Sequence, residues 1–190
     1  MKITFIRHGE SVANKLSKGP DGFLCGRYNC DLTEKGLEQA KSLIDNYDVL
    51  DADAYFCSPL KRTVQTITAF TDKKYILDDR IVERTMGDFD GHTLTELISD
   101  TDYYEYFYGD KTEFRSSFTV AAPNGENYSD VERRVSDFLT DLKAMKFGKV
   151  VIVSHSVSIR CMIKVIKGLT MEETLKLSVN QCEPIEIELN

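Results

Sequence analysis

No run in this chain approaches the ~18 apolar residues that a membrane-spanning helix requires. Met1 to Ile6 meet Arg7-His8 before an apolar stretch of secretory-signal length can form, so no cleaved leader is expected and the cytoplasm is the expected compartment. Low-complexity tracts, internal repeats and a dividing linker are missing too, which predicts a single domain over residues 1–190. The five cysteines, Cys25, Cys30, Cys57, Cys161 and Cys182, show no metal-type pairing. Cys25 and Cys30 lack a second Cys or His pair nearby, so neither a zinc site nor any other metal is expected, and reduced thiols are. Positive charge is in deficit: 24 Lys+Arg against 31 Asp+Glu leave a net charge of −7 and a pI near 5.1. That balance argues against nucleic acid or a membrane surface as partner. It does not exclude an anionic substrate, because a local cationic cluster can outweigh the net sign.

What is present is globular. With 42% hydrophobic and 29% charged residues the chain lies far from disorder. At 190 residues it should bury about 70% of its extended-chain surface, enough to fold without staples. Short β-rich runs alternate with helix-length amphipathic stretches. Strands are predicted at Lys2–Ile6, Ala54–Cys57, Tyr75–Leu77 and Lys149–Val153, the last apolar enough to be buried on both faces. Ile185–Leu189 alternates apolar and acidic residues like a half-exposed edge strand whose charge discourages edge pairing. Helices are predicted from a Thr33 cap to about Tyr47, with Leu37, Ala40, Leu43 and Ile44 on the apolar face, and from a Ser58-Pro59 start to about Phe70. Others cover Leu94–Ile98, Ser129–Met145, Ser156–Lys167 and Met171–Leu177, while Ile81–His92 is an irregular loop. Strands alternating with helices imply βαβ units, hence a three-layer α/β/α sandwich around a mostly parallel sheet.

On that scaffold the unusual polar residues converge. Arg7-His8-Gly9-Glu10 follows the first strand, Ser154-His155 follows the most apolar one, and Arg62 lies early in the helix after the second. Open α/β sheets bind ligands beyond the carboxyl ends of their strands. Two arginines offer fork-shaped donors suited to phosphate or carboxylate. A histidine among them is disfavoured as imidazolium and serves as a nucleophile; a second, if protonated, adds a donor to the phosphoryl oxygens. Taken singly, either histidine reads as a hydrogen-bonded structural residue and either arginine as a surface charge. His92, between Gly91 and Thr93, reads as a solvated residue at a helix start.

The run Phe5-Ile6-Arg7-His8-Gly9-Glu10-Ser11, with Asn14 beyond it, resembles the Arg-His-Gly signature of the histidine phosphatase (phosphoglycerate mutase-like) superfamily. The likeness continues through Asp31-Leu32-Thr33-Glu34-Lys35-Gly36 and Ser58-Pro59-Leu60-Lys61-Arg62-Thr63. It extends to Glu83 with Gly87 and Gly91, to Asn124-Gly125-Glu126 with Asp130 and Arg134, and to Val153-Ser154-His155. The resemblance implies His8 as the nucleophile that becomes phosphohistidine, and Arg7, Arg62, His155 and Asn14 as the phosphoryl pocket. It implies Glu83 as the acid that protonates the leaving oxygen and then takes a proton from water, with no cofactor. Asp78, Asp79 and Asp88 compete for that role but miss the spacing. Ser156-Val157 stands where the family has a small Gly pair; Ser156 can still offer its N–H to phosphate at a helix start. Phe89 stands for a frequent Trp, and Asn124 for a common Gly.

The resemblance covers both mutases and phosphatases. It implies that mutases carry longer insertions over the site, whereas here the candidate cover, residues 100–118, is short and aromatic. A short cover admits water, which favours hydrolysis of a phosphate monoester over transfer. The cover reads either as rings packed on the core or as a lid in which Tyr106 and Arg115 contact substrate; Arg27 is a further candidate contact. The expected partner is a small phosphorylated metabolite or a phosphoprotein. A mutase, or a phosphate-recognising module without turnover, is the alternative, although a pure binder has no use for Glu83 beside an anion.

Overall fold

The computed structural model describes residues 1–189, save the side chains of Asn46, Tyr47 and Val49. Five strands form one sheet: β1 (Lys2–Arg7), β2 (Ala54–Cys57), β3 (Ile76–Leu77), β4 (Lys149–Ser154) and β5 (Ile185–Glu188). Their order is β3-β2-β4-β1-β5. β1, β2, β3 and β4 run parallel, and β5 closes the far edge antiparallel to β1, with Phe5 opposite Ile185 and Lys2 opposite Glu188. The charged face of β5 is used: Glu186 pairs with Lys2 at 2.6 Å.

The central strands explain the layers. Ile3 and Phe5 of β1 and Val150 and Ile152 of β4 face one side, where they meet α7 (Tyr128–Ala144) and α8 (Ser156–Lys167). Ile6, Val151 and Val153 face the other, with Leu43 and with Ile67 of α4 (Lys61–Phe70). All of these are fully buried. Alternation along a strand sends successive side chains to opposite faces, so an unbroken apolar run needs helices on both. The three-layer α/β/α arrangement follows. Among the described residues no helix is long and apolar enough to cross a membrane.

Several boundaries differ from expectation. The helix capped by Thr33 is regular only over Glu34–Lys41 and continues as a 3-10 turn, Ser42–Asn46, which leaves Ile44 exposed while Leu43 is buried. The helix after β2 begins at Lys61, with Leu60 as its cap, so Ser58 is not the capping residue. The long helix starts at Tyr128 because Asn127 and Asp130 form a reciprocal capping box. Residues 101–116 of the cover form short turns that hold Phe114 in a third apolar cluster around Phe89, Leu97 and Met86.

Two glycines bring the loop after β1 against the first long helix. A Cβ on Gly36 would lie 2.0 Å from the Glu10 carbonyl oxygen, and one on Gly9 would lie 2.3 Å from the Gly36 carbonyl oxygen. Gly→Ala inside an exposed helix ordinarily stabilises by up to ~1 kcal/mol. Gly36→Ala is expected to reverse that sign and to cost about 1–3 kcal/mol in urea unfolding, the usual range for overpacking. A gain in stability would show that this backbone contact is dispensable.

Candidate active site

Every strand end named from the sequence contributes to one buried constellation. His8 follows β1, and its Nδ1 lies 2.7 Å from the Gly9 carbonyl oxygen. A carbonyl can only accept, so Nδ1 carries the proton and Nε2 keeps its lone pair. That lone pair accepts from Arg62 Nε at 3.2 Å. The same Nε–H is shared with His155 Nδ1 at 3.3 Å, and His155 Nε2 in turn lies 2.8 Å from Ser58 Oγ. The two imidazoles meet edge to face, 5.1 Å between centroids.

Arg62 is 2% exposed, and its cost of burial is offset in part by a hydrogen bond from each of its three nitrogens. Nη1 donates to Tyr28 O at 2.9 Å and Nη2 to Gly26 O at 2.7 Å. Each Nη retains a second N–H for a ligand oxygen. Arg7 donates through Nη1 to Val179 O at 2.9 Å, while its Nε is buried without a hydrogen-bond partner among the described residues. An unsatisfied buried guanidinium donor is costly unless a ligand completes it. Asn14 Oδ1 accepts from Ser11 N and from Gln181 Nε2, so only its NH2 can be offered to an anion. Ser156 is the first residue of α8, half-buried, with its N–H at the positive end of the helix.

Glu83 reaches the same edge from the loop after Val82. Ser154 Oγ donates to Ile81 O at 2.7 Å, and Ser158 Oγ to Val82 O, which ties that loop to β4 and α8. The Glu83 carboxylate then accepts from Arg84 N at 2.9 Å and from Val157 N at 3.3 Å. The competing carboxylates are occupied elsewhere: Asp78 by Arg80 at 2.7 Å and Asp88 by Asn124 Nδ2 at 3.0 Å. Asn124 sits at φ 56, a left-handed conformation that Gly and Asn adopt most readily, which accounts for Asn in place of the usual Gly. Arg27 lies beside Glu83, donating through Nε to its carbonyl at 3.1 Å and through Nη2 to Glu126 at 3.1 Å.

Not every candidate converges. Tyr106 packs edge to face on Phe89 and Phe114, with Lys111 over its ring at 5.1 Å, as core-packed rings would. Arg115 is exposed and lies against Phe114. His92 is exposed beside Glu96 at 3.6 Å. A protonated His155, the condition for its service as a third donor, is not the state of the free protein. Burial, then the charge of Arg62, holds it well below the ordinary histidine value, and His8 is held down by burial, Arg62 and Arg7. Both are therefore neutral at pH 7.

Two further residues belong to the arrangement. Ser58 Oγ accepts the proton that the Arg62 bond leaves on His155 Nε2; its position at the end of β2 was the available signal, but a Ser-Pro pair reads locally as a cap. Arg84, 6% exposed, donates to Phe114 O at 2.8 Å and Arg115 O at 2.9 Å, joining the Glu83 loop to the cover. No local pattern marks it.

The neutral pair makes a stability prediction. Unfolded, both histidines titrate near the ordinary value of ~6.5; folded, both titrate well below it. Below pH ~6.5 the unfolded chain thus binds more protons, and stability falls as pH drops toward the folded values. Carboxylates with lowered values, such as Glu10 and Asp31, act mainly below the ordinary carboxyl values of 4.5 and 3.8. Urea midpoints between pH 7.5 and 5 should decline, and the slope should drop by close to two protons in a His8→Gln/His155→Gln double variant. A pH-independent midpoint in the wild type would contradict the buried neutral pair.

Comparison with known proteins agrees with this geometry. A family model described as the histidine phosphatase superfamily, branch 1, matches residues 3–190. Phosphoserine phosphatase 1 of Hydrogenobacter thermophilus is 30% identical over 177 residues, covering 91% of this chain and 79% of that protein. A 2,3-bisphosphoglycerate-dependent phosphoglycerate mutase of Mesorhizobium japonicum is 29% identical over 199 residues, covering 99% and 92%. The crystal structure of the α-ribazole phosphatase from Shigella flexneri superposes with a TM-score of 0.83 at 25% identity, covering 100% of this chain and 91% of that one. With a family model spanning nearly its full length, this chain belongs to the histidine phosphatase superfamily, branch 1.

Proposed function

We propose that this protein hydrolyses phosphate monoesters of small metabolites through a phosphohistidine at His8, without a metal. The observation that carries the reading is the state of His8: Nδ1 is tied to Gly9 O, and the unprotonated Nε2 faces Arg62. The phosphoryl group would sit among Arg62, Arg7 Nε, the Asn14 NH2 and the N–H of Ser156. In the first displacement Nε2 attacks phosphorus in line, the ester P–O bond breaks, and Glu83 gives its proton to the departing oxygen. Gly9 O holds the Nδ1 proton while the ring gains charge, as a third group orients the base in a catalytic triad. His155, neutral in the free protein, would gain a proton more readily once a phosphate dianion offsets the arginines. In the second displacement water attacks phospho-His8, Glu83 accepts its proton, and phosphate leaves.

Hydrolysis is favoured over transfer because the cover is short and its rings serve the third apolar cluster. Relatives named as phosphatases and as mutases match at comparable identity, so the distinction rests on the cover. Among the candidate substrate contacts Arg27 has the best placement, since it touches the Glu83 backbone; Tyr106 and Arg115 would act through the shape of the cover. The protein is taken to be one domain working in the cytoplasm.

The test is phosphate release from an aryl phosphate and a metabolite panel that includes phosphoserine and α-ribazole 5′-phosphate, with EDTA present. Wild type should turn over, and His8→Ala should fall by ~10³-fold or more, the loss expected for a covalent nucleophile. Glu83→Gln should slow alkyl esters by ~10²-fold and aryl esters far less, because an aryl oxide leaves without protonation. Equal losses on both would remove Glu83 as the acid. Activity that appears only with a bisphosphate primer would identify a mutase.

A further inference from the structure

The two edges of the sheet are built differently. Along β5 the exposed positions are the acids Glu186 and Glu188, while Ile187 is buried. A second copy set against that edge would bring like charges together. Along β3 the apolar residues are the exposed ones: Ile76 and Leu77 are 50% and 53% exposed. Charges of both signs flank them, in the run Asp72-Lys73-Lys74-Tyr75-Ile76-Leu77-Asp78-Asp79-Arg80. Exposed apolar edge strands are normally covered, because their unpaired backbone groups template the addition of another strand.

We propose that a second copy of this chain covers the β3 edge, in a two-fold dimer whose β3 strands pair antiparallel with Ile76 at the axis. The proposal is independent of the phosphatase reading. Backbone geometry narrows the register. Asp78 N–H donates to Cys57 O of β2 at 3.1 Å, and Phe56 stands opposite Ile76 and Cys57 opposite Leu77. Alternation along the strand turns the N–H and C=O of Ile76 and Asp78 toward β2, and those of Tyr75 and Leu77 toward the open edge. With Ile76 at the axis, Tyr75 of one copy faces Leu77 of the other, and each such pair exchanges two N–H···O bonds. A slip of one residue sets outward groups against inward ones and loses those bonds.

Charge selects among the registers that remain. With Ile76 at the axis, Lys74 meets Asp78 and Lys73 meets Asp79 of the second copy, and symmetry repeats both pairs at the other end. Moving the axis to Leu77 sets Lys74 against Arg80, and moving it to Tyr75 sets Asp72 against Asp78. Lys73, Lys74 and Asp79 are exposed and without an ion-pair partner among the described residues, while Asp78 also holds Arg80 at 2.7 Å. The apolar faces agree with this register. Ile76 shares a face with Phe56 on the α7 side, so the two copies of Ile76 meet there. Tyr75 and Leu77 lie on the other face, where Tyr75 packs on the cluster around Tyr55 and Ile67. Leu77 of the second copy comes beside Tyr75, at a groove lined by Leu50, Tyr55, Phe70 and the exposed Ile44.

Sedimentation velocity of the full chain tests the association. As concentration rises from ~1 to ~100 µM, the 21.6 kDa monomer should give way to a species of twice that mass. Lys73→Glu/Lys74→Glu puts like charges at both ends of the ribbon. It should raise the dissociation constant by ~10-fold or more while far-ultraviolet circular dichroism stays unchanged. Ile76→Cys tests the register. Residues opposite each other in a non-hydrogen-bonded antiparallel pair have Cα atoms ~4.5 Å apart, inside the range a disulfide spans, so this variant should cross-link on mild oxidation. Wild type and Leu77→Cys should not, since the second copy's residue 77 lies two residues further along. A monomer at every concentration overturns the proposal and leaves the edge to a chain of different sequence. A dimer that neither cross-links through Ile76→Cys nor weakens on charge reversal uses another surface, and overturns it equally. Cross-linking through Leu77→Cys alone overturns the register.

Discussion

A guanidinium buried between two imidazoles is the constraint around which this site is organised. Arg62 cannot shed its charge, and at 2% exposure it cannot hydrate it. The protein resolves this by surrounding it with acceptors: two loop carbonyls and two imidazole lone pairs. Each acceptor then has a fixed state. The lone pair of His8 must be on Nε2 and that of His155 on Nδ1, which places the remaining ring protons on Gly9 O and Ser58 Oγ. A single buried cation thus sets the tautomer of both histidines, and burial together with its charge keeps both neutral. The Nε2 lone pair of His8 is fixed before any ligand arrives.

That arrangement depends on the edge of the sheet being closely packed. Arg7, His8, Ser58 and His155 all stand at or just beyond strand ends, and β1, β2 and β4 are adjacent and parallel. The loop after β1 is held by backbone contact with Gly36, the Glu83 loop by the hydroxyls of Ser154 and Ser158, and Arg7 by Val179 O. None of these contacts involves substrate, yet each limits where a reacting atom can lie. They supply the preorganisation on which electrostatic catalysis depends.

Much of this was legible in the sequence, and the reasons are specific. β1 and β4 are apolar on both faces, so their burial under helices could be read from the residues alone, and the polar residues after them could be placed at one edge. The family resemblance then pointed to His8, Arg62, Glu83 and His155, which the structure brings together. Ser58 was misplaced because its role depends on β4, nearly a hundred residues away, whereas its local sequence imitates a cap. In the helix after Thr33, Ile44 was misplaced on the apolar face because it continues the apolar period after the hydrogen bonding has tightened to 3-10, although helical backbone runs on through Tyr47–Leu50. Arg84 was invisible, since its partners are carbonyls, and carbonyls leave no mark in a sequence.

The cover carries the question of water. Its rings could not be assigned from sequence, because turns this short have no period to read. In the structure Phe89, Phe107 and Phe114 gather around one another, and Tyr106 stacks among them. A segment anchored by its own rings and by Arg84 has little length left to extend across the phosphoryl pocket. Sealing phosphohistidine from solvent requires chain over the site, and this chain spends most of its cover on a satellite core. On the proposed reading, a cover spent this way leaves phosphohistidine open to water, and transfer to a second substrate would have to outcompete hydrolysis. Arg27, beside the Glu83 carbonyl, would then be among the groups that choose which monoester enters.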